Sequence, residues 1–131
     1  MSGSAFGIPE DFAQEYEAEQ AFNAKKAKLI IHHQGREFTW ATDDTALMAA
    51  MDHVFRRRLA LGETVFLSSV AEEFTGRSYA TLVMPPDTYL QLTYTEYDGD
   101  ALTATTALVE SEVEKFGGLV IGPGDKIVQQ S

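Results

Sequence analysis

Two short runs of this chain have patterns typical of β-strands, one continuously apolar and one in which apolar and polar residues alternate. Residues 29–31 form the first apolar run, and Phe38 and Trp40 alternate with polar residues in the second. Gln34 and Gly35 lie between the two runs and form a turn signal. The segment therefore predicts a β-hairpin.

The period then changes to that of a helix. Thr42-Asp43-Asp44 offers an N-cap, and Gly62 offers a C-terminal stop. Between them, six apolar residues recur at helical spacing, which predicts a central helix with one buried face. These residues are Leu47, Met48, Met51, Val54, Phe55 and Leu59.

A second group of strand patterns follows this helix. Residues 65–67 predict a third strand. Residues 79–84 and 89–97 flank Pro85-Pro86-Asp87 and predict a second hairpin. Apolar residues occupy one face of the last strand and polar residues most of the other, as in an antiparallel sheet with one buried face.

Helix signals also occur towards both ends of the chain. A proline with acidic residues behind it begins a predicted helix over residues 9–26, and lysines close it. Asp98-Gly99-Asp100 begins a C-terminal helix, which Gly117-Gly118 ends. Residues 119–121 and 126–128 then predict one short strand each.

Together these elements predict an α+β fold. An antiparallel sheet of about five strands is expected to carry the central and C-terminal helices on one face, with an N-terminal helix in addition. Residues 1–26 are expected to form a flexible lead and the acidic N-terminal helix. Residues 27–131 are expected to form a single α+β domain.

Four local motifs follow one another in the middle of the chain. They are Arg56-Arg57-Arg58 at the end of the central helix, Gly62-Glu63 before an aromatic strand, Gly76-Arg77-Ser78, and a hairpin around Pro85. On the basis of these motifs, the segment from about residue 28 to residue 95 resembles a small uncharacterised actinobacterial domain family. That family has a strand-strand-helix-strand-strand plan. The resemblance implies this order of elements and implies no activity.

Composition and charge narrow the classes of function. The 131 residues include 20 acidic, 10 basic and no cysteine residues, so the net charge is -10. The lack of cysteine excludes disulfides, thiolate nucleophiles and iron–sulfur clusters. Residues 1–23 carry five acidic residues and no basic one, whereas residues 24–62 carry seven basic and four acidic ones. We therefore expect no direct binding of nucleic acid, and attraction between this protein and a basic surface of a protein partner or sister subunit.

The hydropathy of the chain bears on its location. No apolar run approaches the roughly 20 residues that a membrane helix needs, and the first residues lack the pattern of a secretory signal. We expect a cytoplasmic protein, or a component of a virus particle, that does not contact a membrane.

Candidate catalytic and metal-binding residues lack the spacing that such sites need. His32, His33, Asp52 and His53 could bind zinc or iron, but neighbouring strand residues point to opposite faces. No serine lies in a G-x-S-x-G turn, and the glycine-rich residues 122–126 lack the spacing of a phosphate loop. The sequence predicts no catalytic residue, no cofactor and no metal, and a protein that is not an enzyme.

The residues expected to contact a protein partner lie on two helices. Acidic residues of the N-terminal helix recur every four positions, although like charges at this spacing cost about 0.2–0.5 kcal/mol per pair. Aromatic residues of the same helix form a thin apolar stripe, and two arginines lie on the polar face of the central helix. The predicted interaction residues are Asp11, Phe12, Glu15, Tyr16, Glu19, Phe22, Arg56 and Arg57.

Three hypotheses for the function follow. The first is a non-enzymatic protein-binding or structural assembly subunit, such as a phage particle or accessory component, that can form a homo-oligomer. The second is an acidic immunity protein or DNA mimic that inhibits a nucleic-acid-binding protein. The third is a small-molecule-binding or hydrolytic domain, with a pocket lined by Trp40, Tyr79, Tyr89 and Tyr94.

Overall fold

The computed structural model describes residues 20, 22–73, 76–95 and 99–131 of the chain. These residues form an α+β fold, which confirms the predicted class. The two long helices are α1 (Thr45–Ala60) and α2 (Gly99–Phe116). The strands are β1 (Ala27–His33), β2 (Arg36–Thr42), β3 (Val65–Glu73), β4 (Gly76–Met84), β5 (Tyr89–Thr93), β6 (Gly118–Gly122) and β7 (Lys126–Ile127).

The first sheet has three antiparallel strands in the order β2-β1-β5. The hairpin of β1 and β2 is the predicted one, with His33 paired to Arg36. Its two turn residues, Gln34 and Gly35, have φ angles of 51° and 76°. Positive φ at both positions is the geometry of a type I′ turn, which matches the twist of the flanking strands.

The second sheet corrects the prediction of one antiparallel sheet of about five strands. It has four strands in the order β4-β3-β6-β7, and β3 pairs with β6 in parallel. The predicted hairpin of residues 79–84 with residues 89–97 is also wrong, because β4 pairs with β3 and β5 pairs with β1. The β3–β4 pairing runs from Val65 opposite Met84 to Glu73 opposite Gly76. Because β4 belongs to the second sheet and β5 to the first, the turn at Pro85 passes the chain from one sheet to the other.

Helix α1 begins and ends as its sequence predicts. The Asp44 carboxylate accepts a hydrogen bond from the Leu47 N–H at 3.0 Å, which caps the first turn. At the other end, Gly62 has a φ of 83° and its N–H donates to the Leu59 carbonyl at 3.0 Å. All six predicted core residues of this helix are buried.

The hydrophobic core lies where α1 meets both sheets. Helix α1 contacts β1 and β5 of the first sheet and β3 of the second, while α2 packs on α1 and β6. On β1, Ala27, Leu29 and Ile31 are buried and alternate with half-buried residues. On β5, Leu90 is buried and Tyr89 is exposed, as the predicted alternation requires. Apolar side chains from two sheets and two helices therefore close one shared core.

The described residues include only the last part of the predicted N-terminal helix. Of the helix predicted over residues 9–26, residues 20 and 22–24 are helical, whereas residues 25 and 26 are not, so the predicted end is two residues too late. Residues 9–19 and 21 lie outside the described part. Within that part, no helix combines the length and the apolar character needed to cross a membrane.

Candidate functional site

A broad trough of about 920 Å³ lies between α1 and α2, and we call it the helix trough. Its α1 wall carries residues 49, 52, 53, 56, 57 and 60, which share one face because helical neighbours lie three and four positions apart. The eleven steps from Ala49 to Ala60 extend about 16 Å along the helix axis. The trough is lined by Ala49, Asp52, His53, Arg56, Arg57, Ala60, Tyr94, Leu102, Thr103, Thr106, Ala107 and Glu110.

Small side chains make this trough open. Ala49 and Ala60 lie on the α1 wall, and Thr103, Thr106 and Ala107 lie on the α2 wall. The backbones of α1 and α2 can therefore be approached closely along the trough.

A hydrogen-bond network fixes one end of the trough. The Tyr94 hydroxyl donates to Oδ2 of Asp52 at 2.8 Å, and the Arg56 Nε donates to Oδ1 of the same carboxylate. The Arg56 Nη2 also donates to the Leu90 carbonyl at 3.4 Å. The Asp52 side chain is 22% exposed and accepts hydrogen bonds from two directions. These contacts tie helix α1 to strand β5 and hold the wall in a defined geometry.

An ion pair joins the two walls. The Arg57 Nη1 lies 3.2 Å from the Glu110 Oε1, and the two side chains are 55% and 32% exposed. At this exposure, such a pair contributes about 0–1 kcal/mol to stability. Both predicted arginines thus line the trough, and both have carboxylate partners within the subunit. Their contact with another protein stays a prediction.

The other predicted interaction residues lie at or beyond the limit of the described residues. Asp11, Phe12, Glu15, Tyr16 and Glu19 fall outside it. Phe22 lies within the described part and is half-buried. The Lys28 ammonium group lies 6.0 Å from the centre of the Phe22 ring.

Contacts with Asp43 show where the chain leaves β1 towards its N-terminus. The Lys25 ammonium lies 3.6 Å from the Asp43 carboxylate, and the Lys26 N–H donates to the same side chain at 3.2 Å. Asp43 directly follows β2, which pairs with the edge of β1 opposite to β5. Residues 25 and 26 are therefore held on the β2 side, whereas Tyr94 of the helix trough directly follows β5.

A second, smaller concavity lies between the two sheets, and we call it the inter-sheet cleft. Its volume is about 240 Å³. The half-buried Trp40 and the 39% exposed Phe38 contribute from β2, and the residues facing them come from β3, β4 and β6. The cleft is lined by Ile31, Phe38, Thr39, Trp40, Leu67, Ser69, Ala80, Thr81, Leu82 and Ile121.

The four aromatic residues predicted to line one pocket do not share one. Trp40 lines the inter-sheet cleft and Tyr94 lines the helix trough. The Tyr89 ring is 63% exposed and lies 5.6 Å from the ring of His32, between centroids. The side chain of Tyr79 lies outside the described part.

The histidines on β1 face different carboxylates. The His32 Nδ1 lies 3.8 Å from the Glu37 carboxylate, and the His33 Nδ1 lies 3.7 Å from that of Asp87. His53 lines the helix trough on the other side of the core. Among the described residues, no three His, Cys, Asp or Glu side chains come together as ligands for a metal ion.

Comparison of the chain with protein-family models, with curated proteins and with solved structures found no match. The resemblance of about residues 28–95 to an actinobacterial domain family therefore stays a prediction. The features of the structure that bear on function are the helix trough and the inter-sheet cleft.

The candidate residues predicted from the sequence include Arg56, Arg57, Tyr94 and Trp40; the first three line the helix trough and Trp40 lines the inter-sheet cleft. Asp52 was considered as a metal ligand, whereas its carboxylate accepts hydrogen bonds from Tyr94 and Arg56. The one available signal was the i, i+4 spacing of Asp52 and Arg56, which favours an ion pair along a helix. Trp40 was predicted to line a pocket, but the sequence does not indicate a cleft between two sheets, because its pattern predicts a single sheet.

Proposed function

We propose that this protein is a non-enzymatic protein-binding subunit whose helix trough holds an acidic helical segment from a second copy of the chain. The segment is the acidic helix predicted over residues 9–26, whose last helical residue in the structure is residue 24. The observation that carries the proposal is the open trough of about 920 Å³, with small residues on both walls and two half-exposed arginines on one of them. Copies that exchange segments in this way would suit an assembly such as a phage particle.

The shape of the trough supports a helical occupant. An α1 wall of about 16 Å corresponds to three helical turns. Two helices can pack with their axes about 8–10 Å apart, and small residues at the contact favour the closer distance. A helix that binds in a groove does so through residues three and four positions apart. Phe12 and Tyr16 of the N-terminal segment have this spacing.

The charges on the walls support an acidic occupant. A guanidinium group carries five N–H donors. Among the contacts described above, Arg57 uses Nη1 and Arg56 uses Nε and Nη2. Each arginine can therefore bind a second carboxylate while keeping its partner in the subunit. Residues 1–23 supply five carboxylates and no cation.

The path of the chain supports a second copy as the source of the segment. Residues 25 and 26 are held by Asp43 on the β2 side of β1, and the helix trough lies on the β5 side. We take residues 25 and 26, which Asp43 anchors, as the point from which the predicted helix of one copy extends to the trough of another. Reciprocal exchange between two copies closes a symmetric dimer, which is a common route to self-association.

The test is the mass of the full chain in solution at several protein concentrations. Sedimentation equilibrium is expected to show a dimer that dissociates as salt is added, because exposed ion pairs are screened within about 8–10 Å near physiological ionic strength. Ala107→Leu places a larger side chain in the trough and should weaken the dimer. Ala104→Leu is the matched control, because this residue is exposed on the same helix and does not line the trough.

Two results would contradict the proposal. A chain that stays monomeric at every concentration would exclude exchange between copies. An equal effect of Ala107→Leu and Ala104→Leu would place the contact between copies outside the helix trough.

A further inference from the structure

The inter-sheet cleft has the form of a binding site that is separate from the helix trough. It opens between β2 at one edge of the first sheet and β4 at one edge of the second. Ile31 and Ile121 are only 3% and 2% exposed, so they form its floor. Trp40 and Phe38 stand on one side of this floor, and Leu82 stands on the other. The two sites share no lining residue.

The lining of the cleft selects for a neutral occupant. Six of the ten lining residues are large apolar or aromatic residues, and none carries a charge. Ser69, Thr39 and Thr81 supply the only side-chain hydroxyls, and the Thr81 hydroxyl is 2.6 Å from that of Ser68. An anion would lose its hydration here without gaining an opposite charge, and a cation would gain only the faces of the aromatic rings in return for its hydration. An apolar molecule would gain contact with the aromatic rings.

The volume of the cleft sets the size of the occupant. An apolar cavity of about 150 Å³ holds a benzene molecule. A volume of about 240 Å³ therefore suits a molecule of about two fused rings. Pockets of this kind, mostly apolar with a few polar groups, are typical of sites for small molecules.

We propose that the inter-sheet cleft binds a small neutral aromatic molecule of about two fused rings, which stacks against Trp40. The Ser69 hydroxyl, on the opposite side of the cleft, is available to bond a polar substituent of that molecule. This site is independent of the proposed assembly function.

The chain carries a built-in probe of this site. Trp40 is its single tryptophan, so the intrinsic tryptophan fluorescence of the full chain reports on the cleft alone. The probe ligand is 1-nitronaphthalene, a neutral two-ring quencher. Binding should quench Trp40 fluorescence along a saturating curve with one molecule per chain. Naphthalene-1-sulfonate has the same rings with a negative charge, and it should compete at least about tenfold more weakly because no lining residue neutralises it.

Two substitutions of alanine by leucine distinguish binding in this cleft from binding in the helix trough. Ala80→Leu adds three carbon atoms inside the cleft and should weaken binding of 1-nitronaphthalene by roughly tenfold or more. Ala107→Leu makes the same change in the helix trough and should leave binding of 1-nitronaphthalene unchanged. Circular dichroism checks that both variants fold. If Ala80→Leu does not fold, the chemical shifts of the Leu67 and Leu82 methyl groups in the wild type decide, because these shifts should change on saturation.

Quenching by acrylamide tests whether another part of the protein or a second chain already covers the cleft. The proposal expects acrylamide to reach Trp40 in the free protein and to be excluded from it once 1-nitronaphthalene is bound. Any of three results would overturn the proposal: protection of Trp40 in the free protein, linear quenching by 1-nitronaphthalene that never saturates, or equal affinity for the neutral and the sulfonated compound.

Discussion

Substitution of Gly118 tests the pairing of β3 with β6, which is the least expected feature of the fold. Gly118 lies opposite Phe66 in this parallel pairing. A Cβ at position 118 would clash with Cγ and Cδ2 of the Phe66 ring and also with the Phe66 carbonyl oxygen. The ring could turn away, because Phe66 is only half-buried, but the carbonyl belongs to the strand. Gly118→Ala must therefore move the backbone of β3 or β6.

The expected cost follows from the overpacking of a tight contact, which destabilises proteins by about 1–3 kcal/mol. For a chain of 131 residues, each kcal/mol lowers Tm by roughly 3–5 °C, so a loss of about 2 kcal/mol lowers Tm by roughly 6–10 °C. Urea unfolding measures the free energy of unfolding directly. Gly117→Ala is the neighbouring control. Its φ of 83° disfavours alanine, but a Cβ there would meet no atom within 4 Å.

A double-mutant cycle with Phe66→Ala separates a clash with the Phe66 ring, expected at position 118, from an unfavourable φ, expected at position 117. Removing the ring should recover part of the stability that Gly118→Ala loses, because one of the two obstacles is gone, and it should recover none of the loss from Gly117→Ala. A coupling energy of zero between positions 66 and 118 would refute the reasoning, since the two residues would then not be in contact. Similar losses with no coupling would mean that the Phe66 ring contributes nothing to the cost of Gly118→Ala.

Four further predictions follow from the described contacts. Arg57→Glu should lower the free energy of unfolding by about 1 kcal/mol, and Arg57→Glu combined with Glu110→Arg should restore most of it in urea unfolding, because the pair is then reversed. Tyr94→Phe should cost about 1 kcal/mol in the same assay, because an aspartate oxygen loses its donor. Glu112→Ala should make the C-terminal tail sensitive to a carboxypeptidase, because the buried carboxylate accepts hydrogen bonds from that tail. Deletion of residues 1–24 should leave the circular dichroism of the remaining fold intact while abolishing the proposed dimer.

The central helix could be predicted because its signals are local. The Asp44 cap, the spacing of the apolar residues and the Gly62 stop all act within a few residues of the chain. The same holds for the β1–β2 hairpin, whose turn residues Gln34 and Gly35 fix the pairing of their neighbours. These elements form from interactions that a short sequence window contains.

The pairing of the other strands could not be predicted in this way. An alternating pattern indicates which face of a strand is buried, and several partners satisfy it equally well. The two strands around Pro85 are neighbours in sequence, yet each pairs with a strand of a different sheet. One signal was available for the parallel pair: residues 119–121 form a continuous apolar run, which is typical of strands that are buried on both faces.

The candidate sites depend even more strongly on distant contacts. The Arg57–Glu110 ion pair joins two helices that are far apart in sequence, and neither residue alone indicates its partner. The alanines of the helix trough gave no signal, because alanine is also the most favourable residue on an ordinary helix surface. Only the packing of α1 against α2 turns Ala49 and Ala107 into the walls of a trough.

The helix trough and the inter-sheet cleft are separate, so an effect of a variant can be assigned to one site or the other. The helix trough is built from α1, α2 and the residue after β5, whereas the inter-sheet cleft is built from β1, β2, β3, β4 and β6. Changes at sites without shared partners are additive to within about 0.3–0.5 kcal/mol, so Ala80→Leu and Ala107→Leu should act independently. Loss of the dimer in Ala80→Leu would therefore mean that the cleft itself contributes to the contact between copies. If each variant affects only its own assay, the fold carries two separate binding surfaces around one core.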